Sequence, residues 1–302
     1  MTESTLMKSL GDAESCDAHS YGVSVTLGNI SISVRSLLPD VVRDFSELYS
    51  GRTCSAPRCG ATIRMEVGRS RRSLLGSRRY AICGDGERIF TDRRRLELLP
   101  YLEWAINRRV IARQSAYLQI HAATMAHGRC GFVFAGNSGT GKSTLAAGLL
   151  SRKWRYFCDE FALIDQHAVR IHPFPKALCV KAGSFEVVRR LDLPLQTHPF
   201  WIKAFKGPVG YIDPNAASAE VADLPVQVRF VLFPKYVSGG ATRLFPVSRG
   251  RAVFALRQHT FNADVLGPRT LSILSRMVRG ADCFGLEYGR LEDACNILET
   301  LL

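Results

Sequence analysis

The sequence has no long apolar run. Nothing in it approaches the roughly 18 uncharged apolar residues that a bilayer-spanning helix needs, so no such helix is expected. The stretch Met1 to Ser15 holds no apolar secretory core either, and the expected location is the cytoplasm, with no membrane partner. Paired cysteine motifs are missing too. The nine cysteines include no C-x-x-C, and Cys54 and Cys59, with four residues between them, have no second pair nearby. That pattern argues against a zinc site and for free thiols in a reducing compartment. Acidic residues are in short supply, 27 Asp and Glu against 40 Lys and Arg, for a net charge of +13. The excess crowds between Arg64 and Arg113, at Arg69, Arg71 and Arg72, at Arg78-Arg79, at Arg93 to Arg95 and at Arg108-Arg109. Such a surface attracts polyanions. No helix-turn-helix, zinc finger or aromatic RNA-binding signature accompanies it, so the expectation is a solvated basic face or a dock for an acidic peptide, with no specific nucleic-acid partner. Internal repeats and long low-complexity linkers are also absent.

With 46% hydrophobic residues over 302 positions, the chain can bury a substantial core. Residues 1–19 are polar and aperiodic and read as a flexible tail. Tyr21 to Val34 alternates apolar and polar residues around a turn at Leu27-Gly28-Asn29, the pattern of a hairpin. Leu38 to Tyr49 reads as a short amphipathic helix. Ala61 to Val67, Tyr80 to Cys83 and Arg88 to Phe90 read as strands, with Gly84-Asp85-Gly86 turning between the last two. Residues 20–115 thus suggest a small β-rich N-terminal domain that ends in a helix from Arg94 to Arg113, striped by Leu96, Leu99, Leu102 and Ile106. Residues 116–302 suggest an α/β domain. Its strands are expected at Tyr117 to Ala123, Gly131 to Ala135, Tyr156 to Cys158, Phe161 to Ile164, Val226 to Phe233 and Thr242 to Pro246. Helices are expected at 144–150, 248–257, 268–279 and 291–302.

The most informative segment is Gly136-Asn137-Ser138-Gly139-Thr140-Gly141-Lys142-Ser143. It satisfies every fixed position of the phosphate-binding pattern G-x-x-x-x-G-K-[ST], between an apolar strand and a helix that opens at Thr144. Glycines let the backbone wrap an anion, and the amides at the helix start point at phosphates. In this pattern Lys142 reaches the β- and γ-phosphates, and the Ser143 hydroxyl binds Mg²⁺. ATP and Mg²⁺ are therefore the expected cofactors. Asp159-Glu160 follows a short apolar run seventeen residues after Lys142. An acid at a strand end near the loop holds metal in such folds, and two could divide the work between metal and nucleophile. The plainer reading is a solvated charge pair. His121 precedes the loop strand by a short distance. From spacing alone it is either a packing histidine or a catalytic one.

The stretch I-H-A-A, then G-F-V-F-A-G-N-S-G-T-G-K-S-T-L-A, then C-D-E-F-A-L-I-D resembles the HPr kinase/phosphorylase superfamily. The resemblance implies a P-loop kinase domain related to phosphoenolpyruvate carboxykinase and ATP-dependent phosphorylation of a protein serine. Carried over by position, Asp159 looks like the base, His121 its assistant, and Ser143 with Glu160 the metal side. P-F-P-K-A-L-C-V-K-A-G at 173–183, V-L-F-P-K-Y at 231–236 and T-F-N at 260–262 look like the HPr-kinase-related proteins encoded beside peptide-modification genes, among them lasso-peptide kinases that phosphorylate a C-terminal serine. The sequence departs from the bifunctional members in carrying Glu160 as its second acid and in lacking an E-x-R-G-x-G segment. Phosphorylase activity and HPr as substrate are therefore not implied. Lys176 and Lys181 are candidate phosphate or peptide contacts, against the plainer reading of both as surface charge.

The expected protein is thus an α/β P-loop serine kinase with a β-rich N-terminal domain, acting on a peptide or protein that bears a serine. A kinase of free serine, an ATP-binding regulatory protein and a nucleic-acid-linked ATPase share its core residues. Homo-oligomerisation is left open. Lys142→Ala should remove ATP-dependent thermal stabilisation while leaving the fold intact. Equal stabilisation of variant and wild type in a melting experiment would sink the phosphate-loop reading.

Overall fold

Alternating apolar residues dictate the first sheet. The computed structural model describes residues 20–54, 60–70, 79–203, 206–217 and 221–302. Strands β1 (Tyr21–Leu27) and β2 (Ile30–Ser36) form an antiparallel hairpin that buries Val25, Leu27, Ile30, Ile32 and Val34. Gly28, at φ 61°, makes the turn, and a Cβ there would lie 2.1 Å from the carbonyl oxygen of Pro173, so only glycine fits both turn and neighbour. With β3 (Thr53–Cys54), β4 (Ala61–Arg69), β5 (Tyr80–Gly84) and β6 (Glu87–Arg93), the sheet runs β3-β1-β2-β4-β5-β6. Helix α1 (Pro39–Leu48) buries Val41, Val42, Phe45 and Leu48 on one stripe.

The helix expected from Arg94 starts later. Arg95–Glu97 is a 3₁₀ turn, closed by the Arg94 amide donating to Glu97 Oε2 at 2.8 Å, and α2 proper spans Leu98–Arg113. Leu96 falls in that turn and is partly exposed, so it does not join the stripe. Helix α2 is buried on most of its surface, including Glu103 and Asn107, because it packs against β4 and β5 on one side and a later strand on the other.

The basic clusters are used differently from the expectation of a solvated face. Arg109 pairs with Asp85 at 3.0 Å and Glu87 at 2.6 Å, Arg113 pairs with Asp85 at 3.1 Å, and Arg95 pairs with Asp40. The Arg93 guanidinium lies over the Tyr101 ring at 4.6 Å. Arg93, Arg109 and Arg113 tie α2 to the sheet, and Arg95 ties the turn before α2 to α1. Arg71, Arg72 and Arg78, the residue 1–19 tail, Cys16 and Cys59 lie outside the described residues.

The larger sheet begins with β7 (Tyr117–Ile120), β8 (Ala122–His127) and β9 (Cys130–Ala135), followed by α3 (Lys142–Ser151), β10 (Arg155–Cys158), β11 (Ala162–Asp165) and β12 (Arg170–His172). The single strand expected from Tyr117 to Ala123 is two strands. The chain bends at His121, whose amide donates to the His259 carbonyl at 2.8 Å; β7 pairs with β11, whereas β8 pairs with β9 and β10. A separate antiparallel sheet, β13-β15-β14, follows from β13 (Leu178–Lys181), β14 (Leu195–Lys203) and β15 (Gly207–Ile212), with α4 (Phe185–Arg189) and α5 (Pro214–Ala217) beside it. The chain returns to the large sheet through β16 (Val226–Tyr236), β17 (Arg243–Pro246) and β18 (Asp282–Tyr288), with α6 (Arg249–Gln258), α7 (Ala263–Leu266), α8 (Arg269–Arg279) and α9 (Leu291–Glu299). Strand β16 runs parallel to both β9 and β18. Strand β18 escaped the sequence reading because Gly285 interrupts it. That glycine leaves room for Phe245, whose Cζ a Cβ would meet at 2.3 Å.

The result is a mixed α/β molecule with three sheets among the described residues, none of whose helices is long and apolar enough to cross a membrane. One apolar core joins the first sheet to the others, linking Val25, Ile32 and Phe45 to Phe161, Phe174, Trp201 and Tyr211. Lys176 sits at this junction and is neither surface charge nor a phosphate contact. It is 2% exposed. Its ammonium lies 2.8 Å from Glu103 Oε2 and also donates to the Glu103 carbonyl and to Asn107 Oδ1, while the Tyr49 hydroxyl donates to the same carboxylate at 2.9 Å. A buried charge left without its partner costs about 3–5 kcal/mol. Lys176→Met should therefore destabilise the protein by about that much, and adding Glu103→Leu should restore a large part of it. Urea unfolding of both variants checks this, and a single variant as stable as wild type would contradict it.

Candidate active site

Strand β9 ends at Ala135 and α3 begins at Lys142, so the glycine-rich loop joins a buried strand to a helix start. Gly139 and Gly141 take φ 94° and 95°, which side chains disfavour. Gly141 is further confined, since a Cβ there would lie 2.1 Å from Tyr288 Oη. That hydroxyl donates to the Gly141 carbonyl at 3.1 Å, and the Tyr236 amide donates to the Thr140 carbonyl at 3.1 Å. The loop is thus anchored from β16 and β18. Lys142 is far more buried than a lysine at a loop tip, at 7% exposure. Its ammonium donates to the Gly136 carbonyl at 2.7 Å and the Asn137 carbonyl at 2.9 Å.

The two acids lie on the bend between β10 and β11. The Thr124 hydroxyl straps this bend from β8, within bonding range of the Cys158 carbonyl at 3.3 Å and the Phe161 carbonyl at 3.4 Å. Asp159 is buried, and its Oδ1 has no hydrogen-bond partner. Burial, reinforced by the neighbouring Glu160 charge, pushes its carboxyl up to about 7, against the pull of a hydrogen bond from Ser143 and the charge of Lys142. Burial acts to raise Glu160 as well, but Lys203, Lys176 and His121 outweigh it and hold that carboxyl below its usual range. Two adjacent carboxyls are therefore driven in opposite directions. His121 is lowered to about 4 by burial and the Lys142 charge, so it is neutral at neutral pH. Its ring lies 5.6 Å from that of Phe261.

All the sequence-singled acids and bases meet on one cavity of about 430 Å³, lined among others by His121, Ser138, Gly139, Gly141, Lys142, Ser143, Thr144, Asp159 and Glu160. Within the loop, Asn137 and Thr140 hold the turn, the Thr140 amide and hydroxyl both reaching the Asn137 carbonyl. Ser143, expected beside Glu160 on the metal side, lies on this cavity with both acids, and Glu160 faces Lys203 at 3.7 Å. Lys181 lies on the same cavity and donates to Ser138 Oγ at 3.1 Å. Lys203 and Lys206 were missed by the sequence reading. They arrive from β14 and the turn before β15, far down the chain, with no motif to mark them. A second cavity of about 650 Å³ adjoins the first and shares Gly139, Gly141, Thr144, Gly183 and Ser184 with it.

A family described as "SynChlorMet cassette protein ScmC" matches residues 93–236, just under half of the chain. The solved structure of the Hpr(Ser) kinase/phosphatase from Coxiella burnetii matches at 14% identity, covering 61% of this chain and 87% of its own, with a TM-score of 0.28. At that score the likeness carries no weight for fold or chemistry. No curated protein matches.

The raised Asp159 carboxyl has a consequence for stability. Its folded value, about 7, lies above the ordinary 3.8, so the folded state binds the proton more tightly. Its contribution is fully present below pH 3.8 and is lost as pH rises through about 7. Thermal melts of ligand-free protein at pH 5 and pH 8 should show a drop that is smaller in Asp159→Asn; an identical drop would place the carboxyl in its ordinary range.

Proposed function

We propose that the protein is an ATP-dependent kinase that transfers the γ-phosphoryl group to a serine hydroxyl of a peptide or protein. The observation that carries this reading is the gathering of Lys142, Ser143, Asp159, Glu160 and neutral His121 on one cavity beneath the glycine loop. The loop amides and Lys142 take the β- and γ-phosphates. The adjoining 650 Å³ cavity, reached past Thr144, has the size and position to take the nucleoside.

The donor set fits Mg²⁺. Ser143 and Glu160 offer the hard oxygens that this ion prefers. Among the described residues no trio of His, Cys, Asp and Glu side chains forms a metal cage, which suits an ion held by one or two side chains and the substrate's own phosphates. Mg²⁺, when bound, neutralises phosphate charge. Asp159 is the base. A carboxyl near 7 is poised to accept a proton at neutral pH, and its free Oδ1 is available to the acceptor hydroxyl. The serine oxygen forms a bond to the γ-phosphorus, the bond from that phosphorus to the bridging oxygen breaks, and ADP leaves with the electron pair. The serine proton passes to Asp159. His121, neutral, assists by orienting the hydroxyl, and Glu160 stays ionised on the metal side. Catalysis is then positioning and charge neutralisation.

Asp159→Asn should lower turnover by about 10²-fold or more with ATP affinity nearly intact, while Glu160→Gln should raise the Mg²⁺ requirement. His121→Ala should resemble the Asp159 variant in a milder form. The assay is labelled ATP with serine peptides, an HPr-like protein and free serine. Transfer to free serine alone would identify a small-molecule kinase instead, and transfer only to water would identify a nucleotide-binding regulator.

A further inference from the structure

The segment Thr260-Phe261-Asn262 lies between α6 and α7 and is fastened to the strand that leads into His121. The Phe261 amide donates to the Gln119 carbonyl at 2.8 Å, and Thr260 forms an antiparallel bridge with Ile120. Asn262, 3% exposed, bonds twice. Its Oδ1 accepts from the Gln119 amide at 3.0 Å, and its Nδ2 donates to the Tyr117 carbonyl at 2.7 Å. The Thr260 hydroxyl donates to the Leu256 carbonyl at 2.8 Å, which ties the segment to α6. Together with the bond from the His121 amide to the His259 carbonyl, these contacts hold β7 from Tyr117 to the bend.

Strand β7 stands at one end of its sheet path, and a free strand edge calls for a cover. The backbone bonds and Asn262 supply that cover, and neither requires an aromatic ring at position 261. The Phe261 ring nevertheless lies 5.6 Å from the His121 ring, tilted, and 5.4 Å from the Phe161 ring, edge-on. Aromatic rings attract one another in this range and in these orientations. Phe161 directly follows Asp159-Glu160, is buried, and belongs to the bend that the Thr124 hydroxyl straps. One ring therefore touches both the bend that carries the histidine and the bend that carries the two acids. Phe261 itself is 43% exposed, so filling the core does not account for it.

We propose that Phe261 is a positioning residue, a wedge that fixes the His121 ring relative to the Asp159-Glu160 bend, and that the bonds of Thr260 and Asn262 to β7 set where the wedge stands. This rests on the phosphotransfer reading above. Phe261 moves no proton and makes no bond to a substrate; it narrows the rotation open to the His121 ring. A base and its assistant act together on one hydroxyl only while their spacing is held, and a displacement of about 1 Å is enough to slow such a step greatly. The charged and titratable groups around His121 are Lys142 from α3, Glu160 from the acid bend, Lys206 from the turn before β15, and His259 from the end of α6. They act on its protonation, whereas Phe261 acts on its orientation.

Nuclear magnetic resonance relaxation of the full chain, labelled in its histidine rings and free of nucleotide, reads the wedge without any acceptor. The His121 signal is the one that disappears in His121→Ala. Its order parameter should be about 0.85 in the wild type, stay there in Phe261→Tyr, and fall below about 0.6 in Phe261→Ala. A His121 ring as ordered in Phe261→Ala as in the wild type, or already mobile in the wild type, would overturn the wedge. So would an equal loss of order in Phe261→Tyr, which keeps the ring. If Phe261→Ala melts well below the wild type, Phe261→Leu, which keeps bulk without a ring, takes its place in every comparison. In the labelled-ATP assay with serine peptides, Phe261→Ala should lower kcat about ten-fold and leave the KM for ATP unchanged. It should add nothing further in a His121→Ala background, since both changes act through one ring. A fully additive loss, or a change confined to the KM for ATP, would overturn the proposal. Absence of transfer by the wild-type protein to any acceptor would strike the phosphotransfer reading instead, and the order of the His121 ring would still decide the wedge.

Discussion

The Lys142 ammonium is folded back onto the carbonyls of Gly136 and Asn137, and much of the site depends on that closure. The two bonds, at 2.7 and 2.9 Å, turn the loop into a ring that begins at the end of β9 and returns at the first residue of α3. Such a ring presents its amides inward only if its backbone can adopt left-handed angles, which Gly139 and Gly141 supply. It stays in place only if something outside holds it. Tyr288 supplies that hold through a hydroxyl resting where a Gly141 side chain would be, and Tyr236 supplies it through its backbone amide. The parallel pairing of β16 with β9 and β18 thus brings both tyrosines to the loop.

Asp159 and Glu160 show how environment divides two neighbouring carboxyls. Both feel burial, which favours the neutral form. Asp159 adds the charge of Glu160 to that burden and is pushed up to about 7, while Glu160 has lysines facing it and is drawn down. Adjacent acids whose environments separate them in this way suit one proton-accepting and one permanently charged role. His121 completes the asymmetry, since burial and Lys142 keep it neutral.

Elsewhere the structure spends its charge on joining parts. Arg109 and Arg113 converge on Asp85, Arg95 meets Asp40, and Lys176 is sunk against Glu103 and Asn107 at the junction of the first sheet with the rest. A net charge of +13 therefore overstates the free basic surface, because several of the cations that a sequence count assigns to solvent are internal fasteners.

The sequence by itself determined the local features. Gly136 to Ser143 matched a phosphate-binding pattern because that pattern resides in consecutive residues, and the hairpin at Gly28, α1 and the long apolar β16 followed from short-range periodicity. Asp159, Glu160 and His121 were legible as candidates through their distance from Lys142, but their protonation was not, because it depends on burial and on charges brought from elsewhere in the chain. Only the tertiary structure decided that Tyr117 to Ala123 is two strands, since the break at His121 follows from a bond to His259 far along the chain. Only it could place Lys176 inside and Lys203 on the cavity wall. A lysine in a sequence carries no sign of its depth, and burial is a property of what the rest of the chain packs around it.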